Sequence, residues 1–200
     1  VIEGDEYDTA FFDKRSKFVH YLPSVFAINN LEFDHADIFR DLEDIQRSFS
    51  HALKLVPRNG FVLLNGDDPN VLALPEVTWA NVLRVGTSDE CDLRISNFKE
   101  TSEGSSFSLF WKGELWAEIQ WGLSGLFNAR NAAMATLGSG LLLNPEQPKD
   151  LCLKALSAFQ GVKRRQEIFF SNEHCILLED FAHHPTAIEG TLRSLKSRYQ

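Results

Sequence analysis

The chain has 200 residues, 44% of them apolar, and 20 Lys and Arg against 28 Asp and Glu for a formal net charge of −8. That is material for one domain and part of another, and the acidic balance excludes a nucleic-acid surface, which needs clustered cations against phosphates. Cys91, Cys152 and Cys175 form no CxxC pair, so neither zinc nor a disulfide framework is expected and a reducing, cytoplasmic setting is the simplest reading.

In chain order, the opening "VIEGDEYD" reads as the end of a buried strand running into an acidic loop of Glu3, Asp5, Glu6 and Asp8. A carboxylate here could hold Mg²⁺, a hard cation that takes oxygen ligands, although a solvated acidic loop is commoner for any one of them. "SVFAINN" (24–30) has the short apolar run of a buried parallel strand. In the stretch from 35 to 56, Ile38, Leu42, Ile45, Phe49, Leu53 and Val56 recur every three or four residues, predicting a helix capped by Asp37 and ended by Pro57. Asp34 and His35 lie between that strand and that helix. A lone His in such a place is usually a hydrogen-bonded structural residue, and a metal shared with Glu3 is the alternative.

"GFVLLNGDDPN" and "NVLRVGT" (81–87) predict two more strands, the first followed by a turn at Asp67, Asp68 and Pro69. From 91 to about 121 polar and apolar residues alternate, with Lys112-Gly113 as a hairpin signal, predicting a small antiparallel sheet whose faces are packed by Phe107, Phe110, Trp111, Trp116 and Trp121. Helical pattern returns at 128–143 and 148–160. "HCILLED" (174–180) predicts a strand, and Pro185 opens a last helix with Ile188, Leu192 and Leu195 as its apolar stripe. This closing helix and the opening strand read as cut, so the chain is expected to be an excerpt. No run reaches the roughly 20 apolar residues of a membrane span, and no signal peptide is expected.

The fold class is therefore α/β, a mainly parallel sheet flanked by helices with a small antiparallel sheet, and ligands are expected at the C-terminal strand ends. Asn128 and Asn131 stand three apart on one helical face, where amides can read a purine edge or Asn128 can cap the helix. Arg164 and Arg165 offer planar donors for phosphate or remain solvated. Asp180 ends a strand, where a carboxylate can accept from a ribose hydroxyl, and His183 and His184 follow it. There is no GxxxxGK(S/T) or GxGxxG, which leaves a non-catalytic nucleotide-binding module as a competing function.

Taken in order, "EGDEYD", "NNLEFDHADIF", "GDDP", "GLFNARNAA", "GVKRRQE" and "DFAHHPT" resemble the Mur ligase family of ATP-dependent amide-forming enzymes. The resemblance implies a central ATP-binding domain over 1–178, without its phosphate loop, and the start of a C-terminal Rossmann-like ligase domain over 179–200. It implies ATP and Mg²⁺ as cofactors, Glu3 and His35 as metal ligands, and Asn128 and Asn131 as adenine readers. It further implies Arg165 on the ATP phosphates, Asp180 on the ribose and His183 near the reacting acyl group. Within the family, "EYDTAFFDKRSKF" is most similar to the branch that joins a murein tripeptide to UDP-N-acetylmuramate, with the L-alanine-adding branch as the alternative. The chain departs from the family pattern twice. Ser50 stands about where several relatives carry a carbamylated lysine, which argues against a carbamate-bridged second metal. Phe127 replaces the usual His before the first Asn, so adenine packing is expected to differ while the amide readout survives.

Overall fold

Past an exposed opening, the chain makes a small antiparallel hairpin, β1 (Asp8–Ala10) and β2 (Asp13–Ser16), before entering the main sheet. The computed structural model describes residues 1–4 and 6–199; Asp5, among the acidic candidates, and Gln200 lie outside the described residues. Val1 and Ile2 are exposed and take no strand conformation, so the expected opening strand is not formed.

The three predicted strands form as β3 (Val25–Ile28), β4 (Phe61–Asn65) and β5 (Asn81–Gly86). They lie parallel and in register, with α1 (Leu42–Leu53) between the first two and the short α2 (Pro69–Leu72) after the second. The antiparallel strands β6 (Leu93–Thr101), β7 (Gly104–Trp111) and β8 (Glu114–Trp121) do not stand apart. The edge of β6 pairs in parallel with β5, so one six-stranded sheet runs from β3 to β8. Lys112 and Gly113 both take positive φ, 48° and 85°, the two-residue turn whose twist suits a hairpin.

One face of the sheet is covered along its length, and the other along β3–β5. Alternation along β4 sends Leu63 to one side and Val62 to the other. Leu63 joins Val85, Leu93, Leu109 and Ile119 under α3 (Leu126–Leu143), whose buried Ala129, Ala132, Ala133 and Leu137 let the helix lie close. Val62 joins Ile28, Ile45, Leu53 and Val56 on the α1 side. Phe107 and Trp121 are buried edge to face, ring centroids 5.5 Å apart, so these aromatics are packing residues.

Further element predictions need correction. The α1 helix begins at Leu42, capped by Asp41, whose carboxylate accepts from the Asp44 amide at 2.8 Å. His35, at φ 54°, turns the chain first, and the Asp37 carboxylate accepts from the Tyr7 hydroxyl instead at 2.6 Å. The 148–160 helix is broken: a tight turn at Pro148–Asp150 ends on extended Leu151, and α4 covers only Lys154–Ser157. The strand at 174–180 forms as β10 (Ile176–Glu179), but it pairs with β9 (Glu167–Ser171) in a separate two-stranded hairpin.

The closing helix α5 (Pro185–Tyr199) turns its small residues inward. Thr191 and Ser194 are buried while Ile188 and Leu192 are exposed, the reverse of the expected stripe. Among the described residues, no helix is long and apolar enough to cross a membrane.

Candidate functional site

The C-terminal ends of β3, β4 and β5 converge on the first turns of α3, where a set of polar side chains is held together. Asn65, closing β4, donates to the Asn29 carbonyl just past β3 at 2.6 Å and accepts from the Asp67 amide at 2.9 Å. Asn29 Nδ2 donates to Asn131 Oδ1 at 2.5 Å, bringing one predicted adenine reader to the end of the sheet. Asp67 accepts from the Thr87 amide and hydroxyl, at 2.9 and 3.0 Å, and from Arg130 Nε at 2.9 Å. Burial works to raise the Asp67 carboxyl, but these hydrogen bonds and the Arg130 charge outweigh it and hold the group below the usual carboxylate range.

At the start of α3 the cap is Gly125, at φ 89°, a conformation suited to glycine; a Cβ there would lie 2.3 Å from the Phe127 ring. Asn128 is therefore not the cap. It lies in the first turn and donates from Nδ2 to the Ser124 carbonyl at 2.7 Å.

The second cluster surrounds His35. Its Nε2 lies 3.3 Å from Glu6 Oε1, and Tyr7 meets its ring edge-on at 4.9 Å. The Tyr7 hydroxyl bond is the main influence holding the Asp37 carboxyl below its usual range. The carboxylate beside the His35 imidazole is that of Glu6, while Asp34 accepts the His35 amide at 2.7 Å and Glu3 sits three residues before Glu6 on the exposed opening segment. Among the described residues, no group of three or more His, Cys, Asp or Glu side chains is gathered for a metal. The Glu6 carboxylate oxygen suits a hard ion that completes its shell with waters and phosphate oxygens, and the His35 imidazole beside it is the softer donor. Ser50 donates to the Gln46 carbonyl within α1 at 2.6 Å, a side chain spent on its own helix.

The third cluster lies around β10. Both Asp180 oxygens accept backbone amides, from Gln166 at 2.8 Å and Ala182 at 2.7 Å, folding the Arg165 turn against the strand end. Arg165 stacks over Phe181 at 5.4 Å and is otherwise exposed, and His183 contacts the Phe181 carbonyl at 3.1 Å. His184 is the anchored member of the pair: Nδ1 lies 3.0 Å from Glu32 and Nε2 3.3 Å from the Phe33 carbonyl. With Thr186 donating to Glu32 at 2.6 Å, the two-histidine loop is fixed to the loop that carries His35. No hydrogen bond or ion pair among the described residues joins Arg165 or Asp180 to His35, Asn128 or Asn131. Sequence reasoning did not single out Asn29, Glu32, Asn65 or Arg130; paired Asn at a strand end and an Arg between the two helix Asn residues were the available signals.

The sequence matches the Mur ligase middle domain family over residues 1–138. A UDP-N-acetylmuramate--L-alanyl-gamma-D-glutamyl-meso-2,6-diaminoheptandioate ligase of Haemophilus influenzae is 41% identical, over 99% of this chain and 42% of its own length. A UDP-N-acetylmuramate--L-alanine ligase of Salinibacter ruber is 35% identical, over 96% of this chain and 38% of its own. The crystal structure of a murein peptide ligase from Psychrobacter arcticus superposes with a TM-score of 0.69 at 36% identity, covering 98% of this chain and 39% of that one. The chain thus spans about two fifths of the length of the curated relatives it matches.

Proposed function

The chain belongs to the Mur ligase family, and from that premise we propose that it is the nucleotide-binding part of a ligase that consumes ATP to join a murein tripeptide to UDP-N-acetylmuramate. The observation that carries this is the convergence of three parallel strand ends on the Asn128–Asn131 turn, the end of an open α/β sheet at which ligands bind. The tripeptide is favoured over L-alanine as amine because identity is higher to the tripeptide-named relative, 41% against 35%. We assign residues 1–178 to the central domain and 179–200 to the start of the C-terminal ligase domain, and place the reaction in the bacterial cytoplasm.

In this reading the muramate carboxylate attacks the γ-phosphorus of ATP and ADP leaves, giving an acyl-phosphate. The tripeptide amine then adds to the acyl carbon, loses its proton, and expels inorganic phosphate to leave the amide. Asn128 and Asn131 face the adenine edge, the latter held by Asn29. Asp180 meets the ribose while keeping its backbone partners. Arg165, on its Phe181 platform, is free to turn its guanidinium to phosphate oxygens, where a planar fork binds two at once. His183 stands at the acyl group, and His184 fixes that loop to Glu32. His35 with Glu6, and Glu3 upstream, would hold Mg²⁺, which when bound offsets charge on the phosphates. The protein's contribution is placement and charge neutralisation, the main burden in phosphoryl transfer.

The test is tripeptide-dependent ADP release by the intact protein. His35→Ala and Arg165→Ala should each lower turnover by about 10²–10³, the loss typical of one electrostatic contact in a transition state. Near-parental turnover in both would refute the site, and faster turnover with L-alanine than with tripeptide would overturn the choice of amine.

A further inference from the structure

Gly125 has no side chain with which to cap α3, and an external anchor for its amide comes from β6. The Gly125 amide donates to Glu100 Oε1 at 2.9 Å, and the same oxygen accepts the Ser194 hydroxyl of α5. Ser194 is only 3% exposed, so this carboxylate oxygen works in a partly desolvated seam between three elements. Gly190 of α5 also faces α3: a Cβ added there would lie 3.7 Å from the Phe127 ring, ordinary packing distance. Arg198 adds a bond to the Ser102 carbonyl at 3.4 Å, at the end of β6. On the inward face of α5, Gly190 is therefore seated against Phe127 and Ser194 against Glu100. Phe127 is the immediate neighbour of Asn128, and Glu100 holds the cap three residues before it.

We infer that Glu100 is a positioning residue that couples the nucleotide-reading turn of α3 to the docking of α5. The inference rests on the reading of Asn128 and Asn131 as base contacts. One acceptor serving both helices means that neither can shift without disturbing the other's bond. The carboxylate also faces the amide end of α3, where its negative charge is favoured. Without Glu100, the Gly125 amide and the Ser194 hydroxyl lose one shared partner in a seam where water does not easily replace it. Coupling between binding events is reciprocal, so nucleotide at α3 should tighten α5, and a seated α5 should tighten nucleotide.

The experiment measures ADP and GDP affinity by calorimetry and hydrogen exchange of residues 185–199, with and without ADP, in the intact protein. Glu100→Ala should weaken ADP by about 10-fold, reduce the preference for ADP over GDP, and abolish ADP-dependent protection of α5, a coupling in the usual range. Glu100→Gln, which keeps an acceptor oxygen, should recover most of the affinity. Ser194→Ala should also weaken ADP and uncouple the protection, though it touches no base. Parental ADP affinity and parental α5 protection in Glu100→Ala would overturn the inference. If that variant does not fold, the same result in Ser194→Ala overturns it. Asn131→Ala separates the two levels. Unchanged nucleotide affinity there refutes the base reading itself, whereas a weakened Asn131→Ala beside an unaffected Ser194→Ala refutes the coupling alone.

Discussion

Asp67 shows how much a single side chain ties together. Its carboxylate links the end of β4 to Thr87 past β5 and to Arg130 on α3, and Gly86 must be glycine beside it, since a Cβ there would approach Asp67 Oδ1 to 2.8 Å. Because its folded pKa lies below the ordinary value of about 3.9, the ionised form stabilises the fold at neutral pH. That contribution is present above about pH 4 and is lost as the pH falls through the lower folded value. Asp67→Asn should therefore lower the melting temperature at pH 7, by the equivalent of about 1 kcal/mol for a half-buried group that keeps only part of its hydrogen bonding. It should also flatten the acid-side decline between about pH 5 and pH 3. Melting curves across that range check both, and an equally steep decline in the variant would contradict the assignment.

At the scale of elements, local pattern carried the strands and failed where a distant partner decided. β3, β4, β5 and the β7–β8 turn were legible because apolar runs and a Lys-Gly pair suffice to specify them. The start of α1 was not. Asp37 and Asp41 are both good caps, and the choice fell to Tyr7, thirty positions away, which takes the Asp37 carboxylate. Likewise Asn128 and Asn131 could be read as a pair, whereas the Asn29–Asn131 bond spans a sequence separation of 102 and left no local trace. The small residues of α3 were legible as helix but not as a close approach, and two glycines there now have opposite expected behaviour. At Gly138 an added Cβ meets only Leu63 and Val25 at 3.7 and 3.8 Å. Gly138→Ala should stabilise by about 0.5–1 kcal/mol through helix propensity. At Gly140 the added atom would lie 2.7 Å from the Pro148 carbonyl oxygen and 3.0 Å from Trp116. Gly140→Ala should cost about 1–3 kcal/mol of overpacking, exceeding that gain. Thermal unfolding of the pair should move in opposite directions.

Across the whole molecule, apolar surface is unevenly distributed. One face of the six-stranded sheet is covered throughout and the other across β3–β5, with Val62, Leu63, Leu93 and Leu109 fully buried. The β9–β10 hairpin instead leaves Ile168, Phe169, Phe170, Ile176 and Leu177 exposed, and α5 adds Ile188 and Leu192. The run "HCILLED" could be read as strand, but its partner "EIFFS" was missed, because nothing in an apolar pattern says which strand it joins. A two-stranded hairpin without a covered face is marginal in water, and protein stability is shared unevenly among such units. In this 200-residue polypeptide, amides of 167–171 and 176–179 should exchange with solvent roughly 10²-fold faster than those of β4 and β5. Phe170→Ser with Leu177→Ser should leave exchange in β4 and β5 unchanged, since the hairpin pairs with neither strand. Hydrogen exchange read by mass spectrometry settles the point: equal protection of hairpin and sheet would mean that the two unfold as one cooperative unit.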